Sequence, residues 1–163
     1  MKGFAPGLFD KLMGGNGYSS TFNTVSRLSM EELKDTVARD LEALLNTRTV
    51  IHEDLLKPYP ECSKSIVSYG LNDFAGLSLA STDDRAYICR CLEKAISQHE
   101  PRLRNVNASL ELQEGSINRL NFAISAMLVV HPAKEPVSFD AVLQPSTLQY
   151  SISKSRRSGR KGE

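Results

Sequence analysis

The chain has 163 residues, with 20 Lys and Arg against 19 Asp and Glu, no Trp and three Cys. That length suits one domain, large enough to bury a core without disulfide or metal staples. An odd number of cysteines argues against a secreted disulfide framework, so Cys62, Cys89 and Cys91 are expected as reduced thiols. No apolar run of signal-peptide length follows Lys2, because Asp10, Lys11 and the glycines Gly14, Gly15 and Gly17 interrupt it. No stretch approaches the ~18 to 20 apolar residues of a membrane span. A soluble cytoplasmic protein is expected.

In chain order, residues 1–28 are rich in Gly, Ser and Thr and hold no sustained period. They read as a flexible segment carrying one short docking turn, Leu8, Phe9 and Leu12, that orders against a partner or caps the domain's own core. A domain over residues 29–153 follows. Ser29 and Glu32 form a capping box, and Met30, Leu33, Val37, Leu41, Leu44 and Leu45 mark one stripe of a helix ending near Asn46 to Arg48. Pro58 and Pro60 break the next stretch. Ser63 to Tyr69 reads as a short helix closed by Gly70, and Leu71 to Phe74 as a turn. Ser81 to Asp83 starts another helix, with Tyr87, Ile88, Cys91, Leu92, Ala95 and Ile96 expected on its buried face and Pro101 as its stop.

Beyond Pro101 the period changes from 3.6 to 2. Val106, Ala108, Leu110 and Leu112 alternate with polar residues, and a turn is expected at Glu114 to Asn118. Leu120, Phe122, Ile124, Ala126, Leu128 and Val130 line one face of a second strand. Pro132 and Pro136 are expected to bound a loop, before a third strand on Val137, Phe139, Ala141 and Leu143. Pro145 ends it, and Leu148, Tyr150 and Ile152 add a fourth. Helices first and strands afterwards make an α+β domain, N-terminal helices packed on an antiparallel sheet of three to four strands.

Charge is uneven along the chain. The last thirteen residues hold five basic residues and one acid, which leaves 15 basic against 18 acidic residues in the rest. Residues 154–163 are expected as a disordered basic tail. A nucleic-acid-binding role for that tail is a rival reading, and it predicts salt-dependent binding lost on truncation after Ser153. His52, His99 and His131 have no metal-ligand spacing, and no glycine-rich phosphate loop follows a strand, so neither metal nor cofactor is expected.

Among enzyme readings, a peptidoglycan hydrolase is the serious rival. Glu42, Asp73 and Glu100 offer carboxylates for a donor and a nucleophile or base. The segment Glu100-Pro101-Arg102 reads differently. An acid in the last turn of a helix opposes the macrodipole, so local helix energetics do not account for Glu100. Pro101 fixes the chain direction and leaves an acid–guanidinium fork, used either for a partner or as an internal salt bridge at a helix stop.

Three runs in this order resemble the contractile-tail baseplate wedge proteins, those of type VI secretion in particular. Arg39-Asp40-Leu41-Glu42-Ala43-Leu44-Leu45-Asn46-Thr47-Arg48 resembles the family's first core helix. Tyr69-Gly70-Leu71-Asn72-Asp73-Phe74 resembles its YGLPDF turn, with Asn72 where proline is usual, and His99-Glu100-Pro101-Arg102-Leu103 resembles its EPRL motif. The segment Leu8 to Leu12 looks like the family's short amphipathic opening. The resemblance covers roughly residues 27 to 145.

It implies assembly without turnover, beside the wedge subunits TssF, TssG and TssK and beneath the TssB–TssC sheath. The place implied is a baseplate docked on the inner-membrane complex. Glu100, Pro101 and Arg102 are the implied partner-binding residues, with no catalytic residue, no cofactor and no small-molecule substrate. The strands around Val137 to Ile152 resemble the part of sheath proteins that pairs with a neighbour's strand at an open edge.

Overall fold

The computed structural model describes residues 3–5, 7, 28–74, 76–78, 81–111, 120–144 and 146–155. The Leu8–Leu12 turn, the Glu114–Asn118 turn, Pro145 and the basic tail from residue 156 lie outside the described residues. The chain falls into two compact units, residues 1–37 and 38–163.

In the first unit, Phe4 and Leu28 form an antiparallel bridge through two backbone hydrogen bonds of 2.8 and 2.9 Å. The expected capping box is present. Ser29 N–H donates to Glu32 Oε2 at 2.7 Å, and Glu32 N–H donates to Ser29 Oγ at 3.2 Å. These satisfy two of the amides that a helix start leaves open, and the bonds from Ser29 hold the Glu32 carboxyl below its ordinary range. The helix they start, α1, runs Met30–Asn46, with Ala38–Asn46 belonging to the second unit, and its expected stripe is buried at Leu33, Val37, Leu41, Leu44 and Leu45.

In the second unit a short helix α2 (Glu53–Leu56) and two 3-10 turns, Pro60–Lys64 and Ile66–Ser68, lead to helix α3, Thr82–His99. The single helix expected over Ser63 to Tyr69 is instead split. Ser65 is extended at the junction and its hydroxyl accepts from Val67 N–H, a local bond that competes with helix continuation. Helix α3 is capped by Ser81, whose Oγ accepts from Asp84 N–H. It buries Ile88, Leu92, Ala95 and Ile96, but Tyr87, expected inside, is 43% exposed.

Strands β1 (Leu103–Glu111), β2 (Leu120–Val130), β3 (Ala133–Gln144) and β4 (Gln149–Lys154) form one antiparallel sheet in chain order. The protein is therefore α+β, with helices first and a four-stranded sheet last. Register explains why the alternation was so regular. Leu110, Phe122, Ala141 and Ile152 stand side by side across the four strands, and Ala108, Ile124 and Phe139 across the first three. A slip of one residue would turn all of them to solvent, and full burial of each large side chain stabilises by about 1.5–3 kcal/mol. β1 begins earlier than the alternation suggested. A register shift between Arg104 and Asn107, with Asn105 at φ 53°, breaks the period at its start.

Pro136, expected in a loop, sits inside β3 opposite Met127. β4 ends opposite Phe139, and Ser155 N–H donates to Ser138 O. Beyond Ser138, β3 is an edge, the position in a sheet that tolerates a residue with no N–H.

Tyr150 is 3% exposed, and its Oη finds no hydrogen-bond partner among the described residues. Burial pushes its phenol up to about 12. The folded state therefore holds this proton more tightly than the unfolded chain, whose Tyr titrates near 10. Stability present below pH 10 is lost as pH rises through 12, by about 2–3 kcal/mol from this group. Tyr150→Phe should remove that part of the alkaline loss. At neutral pH it should raise stability by about 1 kcal/mol, because an unsatisfied buried hydroxyl goes with it. Urea titrations at pH 8 and pH 11 check both effects.

Candidate interaction site at the junction of helix α3 and strand β1

The three family-like runs meet in space. Helix α3 closes with Glu100 N–H donating to Ile96 O at 2.8 Å, and Leu103 N–H donates back to Glu100 O at 3.1 Å as β1 begins. This tight corner brings the Arg102 guanidinium onto the Glu100 carboxylate. Nε donates to Oε1 at 2.7 Å and Nη2 to Oε2 at 2.5 Å, while the Arg102 backbone N–H adds a third bond to Oε1 at 3.1 Å. Arg102 Nη2 also donates to Asp40 Oδ2 at 2.5 Å, 62 positions earlier on α1. The Glu100 side chain is only 7% exposed, that of Arg102 25% and that of Asp40 36%.

These bonds, those to Glu100 first, hold the Arg102 proton well above even the ordinary arginine range. A buried carboxylate is tolerable only with such partners. The acid at the helix end that local energetics left unexplained thus has its counter-charge two residues on.

The Tyr69–Phe74 run lies against the other two. The Tyr69 ring packs edge-on against His99, with centroids 5.4 Å apart. Its phenol is pushed up by burial, with the Asp40 and Glu100 charges adding to the effect. His99 Nε2 lies 3.1 Å from Ser68 O. Leu71 N–H donates to Thr47 O at 2.9 Å and Thr49 N–H to Leu71 O at 3.0 Å, so Leu71 bridges the end of α1 like a short parallel strand. Gly70 stands at φ +118°, and a Cβ there would come within 2.6 Å of Thr47 O. The turn passes the helix end at a distance only glycine permits.

Two parts of the fork take no bond within the cluster. Pro101 is exposed, and Arg102 Nη1 has no partner among the described residues. The other carboxylates considered for chemistry are placed apart in role. Glu42 Oε2 accepts from Ile152 N–H at 2.8 Å, and Asp73 is exposed on the turn. Among the described residues no group of three or more His, Cys, Asp or Glu is placed to hold a metal, and no helix is long and apolar enough to cross a membrane.

Sequence reasoning missed how the sheet edges are closed. On β4, Tyr150 N–H donates to Asn46 Oδ1 at 2.7 Å, Asn46 Nδ2 donates to Tyr150 O at 2.9 Å, and Glu42 takes Ile152 N–H. On β1, Glu93 Oε1 accepts from Ala108 N–H at 2.8 Å and the Cys89 sulfur from Leu110 N–H. Each helix therefore offers an i, i+4 pair to an i, i+2 pair of strand amides. The spacings match, since four helical residues rise about 6 Å and two strand residues about 6.8 Å. Spacing of Glu42 with Asn46 and of Cys89 with Glu93 was the available signal. The edge expected to receive a strand over Val137 to Ile152 is thus narrower. Most of β3 lies inside the sheet, and β4 is already bonded at Tyr150 and Ile152.

The structure is that of a small α+β domain whose three motifs converge on a mutually satisfied charge cluster. Comparison with protein families gives its class. Residues 31–133 match the family described as baseplate wedge protein gp25, over more than half of the chain, and the chain belongs to that family. Comparison with curated proteins gives no match. Family membership makes the protein a structural component of a contractile-tail type of baseplate.

Proposed function

We propose that this chain is the TssE-type wedge subunit of a type VI secretion baseplate. It joins TssF, TssG and TssK to the TssB–TssC sheath in the cytoplasm, where the baseplate docks on the inner-membrane complex. It works by position and catalyses no reaction. The observation that carries this reading is the convergence of Asp40, Tyr69, Glu100 and Arg102 at the α3–β1 corner. Within it Glu100 acts inwardly, fixing the guanidinium, while Pro101 and the free edge of Arg102 meet the neighbouring subunit. A preorganised arginine loses little freedom on binding and presents planar donors to a carboxylate or carbonyl. The sheath contact uses the β4 end beyond Ile152, where α1 supplies no cap.

Co-expression with TssF and TssG tests it. The tagged chain should recover both, and the same preparation should release no fragments from peptidoglycan. Hydrolysis abolished by Glu100→Gln or Glu42→Gln, with no wedge complex, would establish the muramidase instead.

A further inference from the structure

Away from the corner, a cleft of about 360 Å³ runs between the 49–72 segment and the flank of α3. Its volume falls within the roughly 300–1,000 Å³ range of clefts that hold a ligand. Ile51, Leu56, Pro60, Leu71 and Tyr87 give it an apolar lining. Next to these lining residues in the chain, Val50 is 97%, Leu55 68% and Tyr59 63% exposed. Isolated apolar residues on a surface need no account, whereas a cluster around a concavity does.

The charge of the cleft says what fits. Lys57, Arg90 and Lys94 line it, and no Asp or Glu does. Lys57 is paired with Asp54 at 2.6 Å. Arg90 is exposed, and no hydrogen bond or ion pair joins it to a described residue. Arg90 and Lys94 are four apart on α3, so both side chains lie on one flank, with Tyr87 one turn before. Cations alone in the cleft run against the rest of the chain, which is acidic outside its last thirteen residues. The same sign excludes the chain's own ends as occupants. Residues 1–28 carry Lys2, Lys11 and Arg27 against Asp10, and the tail is more basic still.

We propose that this cleft is a second docking site, which receives a short segment of another protein bearing bulky apolar anchors flanked by carboxylates. The apolar floor takes the anchors, Tyr87 and Arg90 supply the aromatic and guanidinium contacts that dominate such surfaces, and Lys94 completes the match. The inference rests on the assembly reading in taking the occupant from a protein, but it uses none of Asp40, Tyr69, Glu100, Pro101 and Arg102.

The test is a fluorescence-anisotropy titration of the full chain with three sets of short peptides. Each set carries Leu, Phe or Tyr anchors, flanked by Glu, by Gln or by Lys. Glu-flanked peptides should bind, Gln-flanked ones about tenfold more weakly and Lys-flanked ones not at all. Arg90→Glu with Lys94→Glu, both exposed on α3, should abolish the preference for Glu in a chain that thermal melts show to be folded. Tyr87→Ala should weaken all binding. Equal binding of Glu- and Lys-flanked peptides, indifference to the double reversal, or no binding would each overturn the proposal. The double variant is also carried through the TssF–TssG co-purification. Peptide preference without any wedge complex would sink the wedge reading and leave the cleft standing. A wedge complex without peptide preference would do the reverse.

Discussion

Arg102→Ala should lower the unfolding free energy by about 3 kcal/mol, the lower end of what breaking a buried ion pair costs. The loss is large because of what stays behind. Glu100 keeps a 7% exposed carboxylate with neither of its guanidinium bonds, and Asp40 loses its contact across the cluster. Arg102 is a quarter exposed and Asp40 about a third, so water reaches part of the site and holds the cost below the full range. For a chain of this size the melting temperature should fall by roughly 10 °C. Glu100→Ala should cost less, because the remaining guanidinium keeps Asp40 and has access to water. Arg102→Lys should fall between, since an ammonium cannot hold both Glu100 oxygens as a fork does. Thermal melts of the three variants settle the order. An Arg102→Ala variant that melts with the native chain would show that the cluster does not hold the corner.

Gly70→Ala should cost roughly 2–4 kcal/mol, and the cost comes from backbone strain with no side chain removed. At φ +118° an L side chain is strained whatever the space around it, and here its Cβ would meet Thr47 O at 2.6 Å. That oxygen already accepts from Leu71 N–H, so it cannot withdraw without opening the bridge between α1 and the turn. Relief would move Leu71, which is 1% exposed. Hydrogen exchange at Thr49 and Leu71 should accelerate in the variant more than exchange in the β2–β3 pair. Uniform acceleration would mean that the turn is not a separate point of weakness.

Much of the fold was legible because it rests on local periodicity. The capping box at Ser29, the α1 stripe and the alternation in β2 and β3 are each set within a few residues, and the structure keeps them. Where tertiary partners decide, the reading failed or stopped short. Tyr87 has the spacing of a buried residue, yet it faces a cleft that no periodicity announces. Pro136 argued for a loop until the shortness of β4 made its position an edge. Ser63 to Tyr69 had helical composition, but Ser65 diverts the backbone.

The candidate site shows the same division. Its three runs were recognisable one by one, and the misplaced acid at the end of α3 signalled that Glu100 had a partner. That Asp40 and Tyr69 share the cluster depends on how α1 and the 49–72 segment fold back, which no spacing encodes. The edge caps left only their i, i+4 spacing in the sequence, Glu42 with Asn46 and Cys89 with Glu93, and that spacing does not say which strand amides the pairs meet.

Docking of a wedge subunit at Pro101 and Arg102, as proposed, is tested most directly by calorimetric titration of purified TssF–TssG complex with the native chain and with Pro101→Glu. Pro101 is exposed and makes none of the bonds of the cluster, so the variant should melt within about 2 °C of the native chain. Its new carboxylate would stand beside Arg102 on the proposed docking face, and affinity should fall at least about tenfold. Equal affinity for a folded Pro101→Glu variant would contradict the account and return the cluster to a purely internal role.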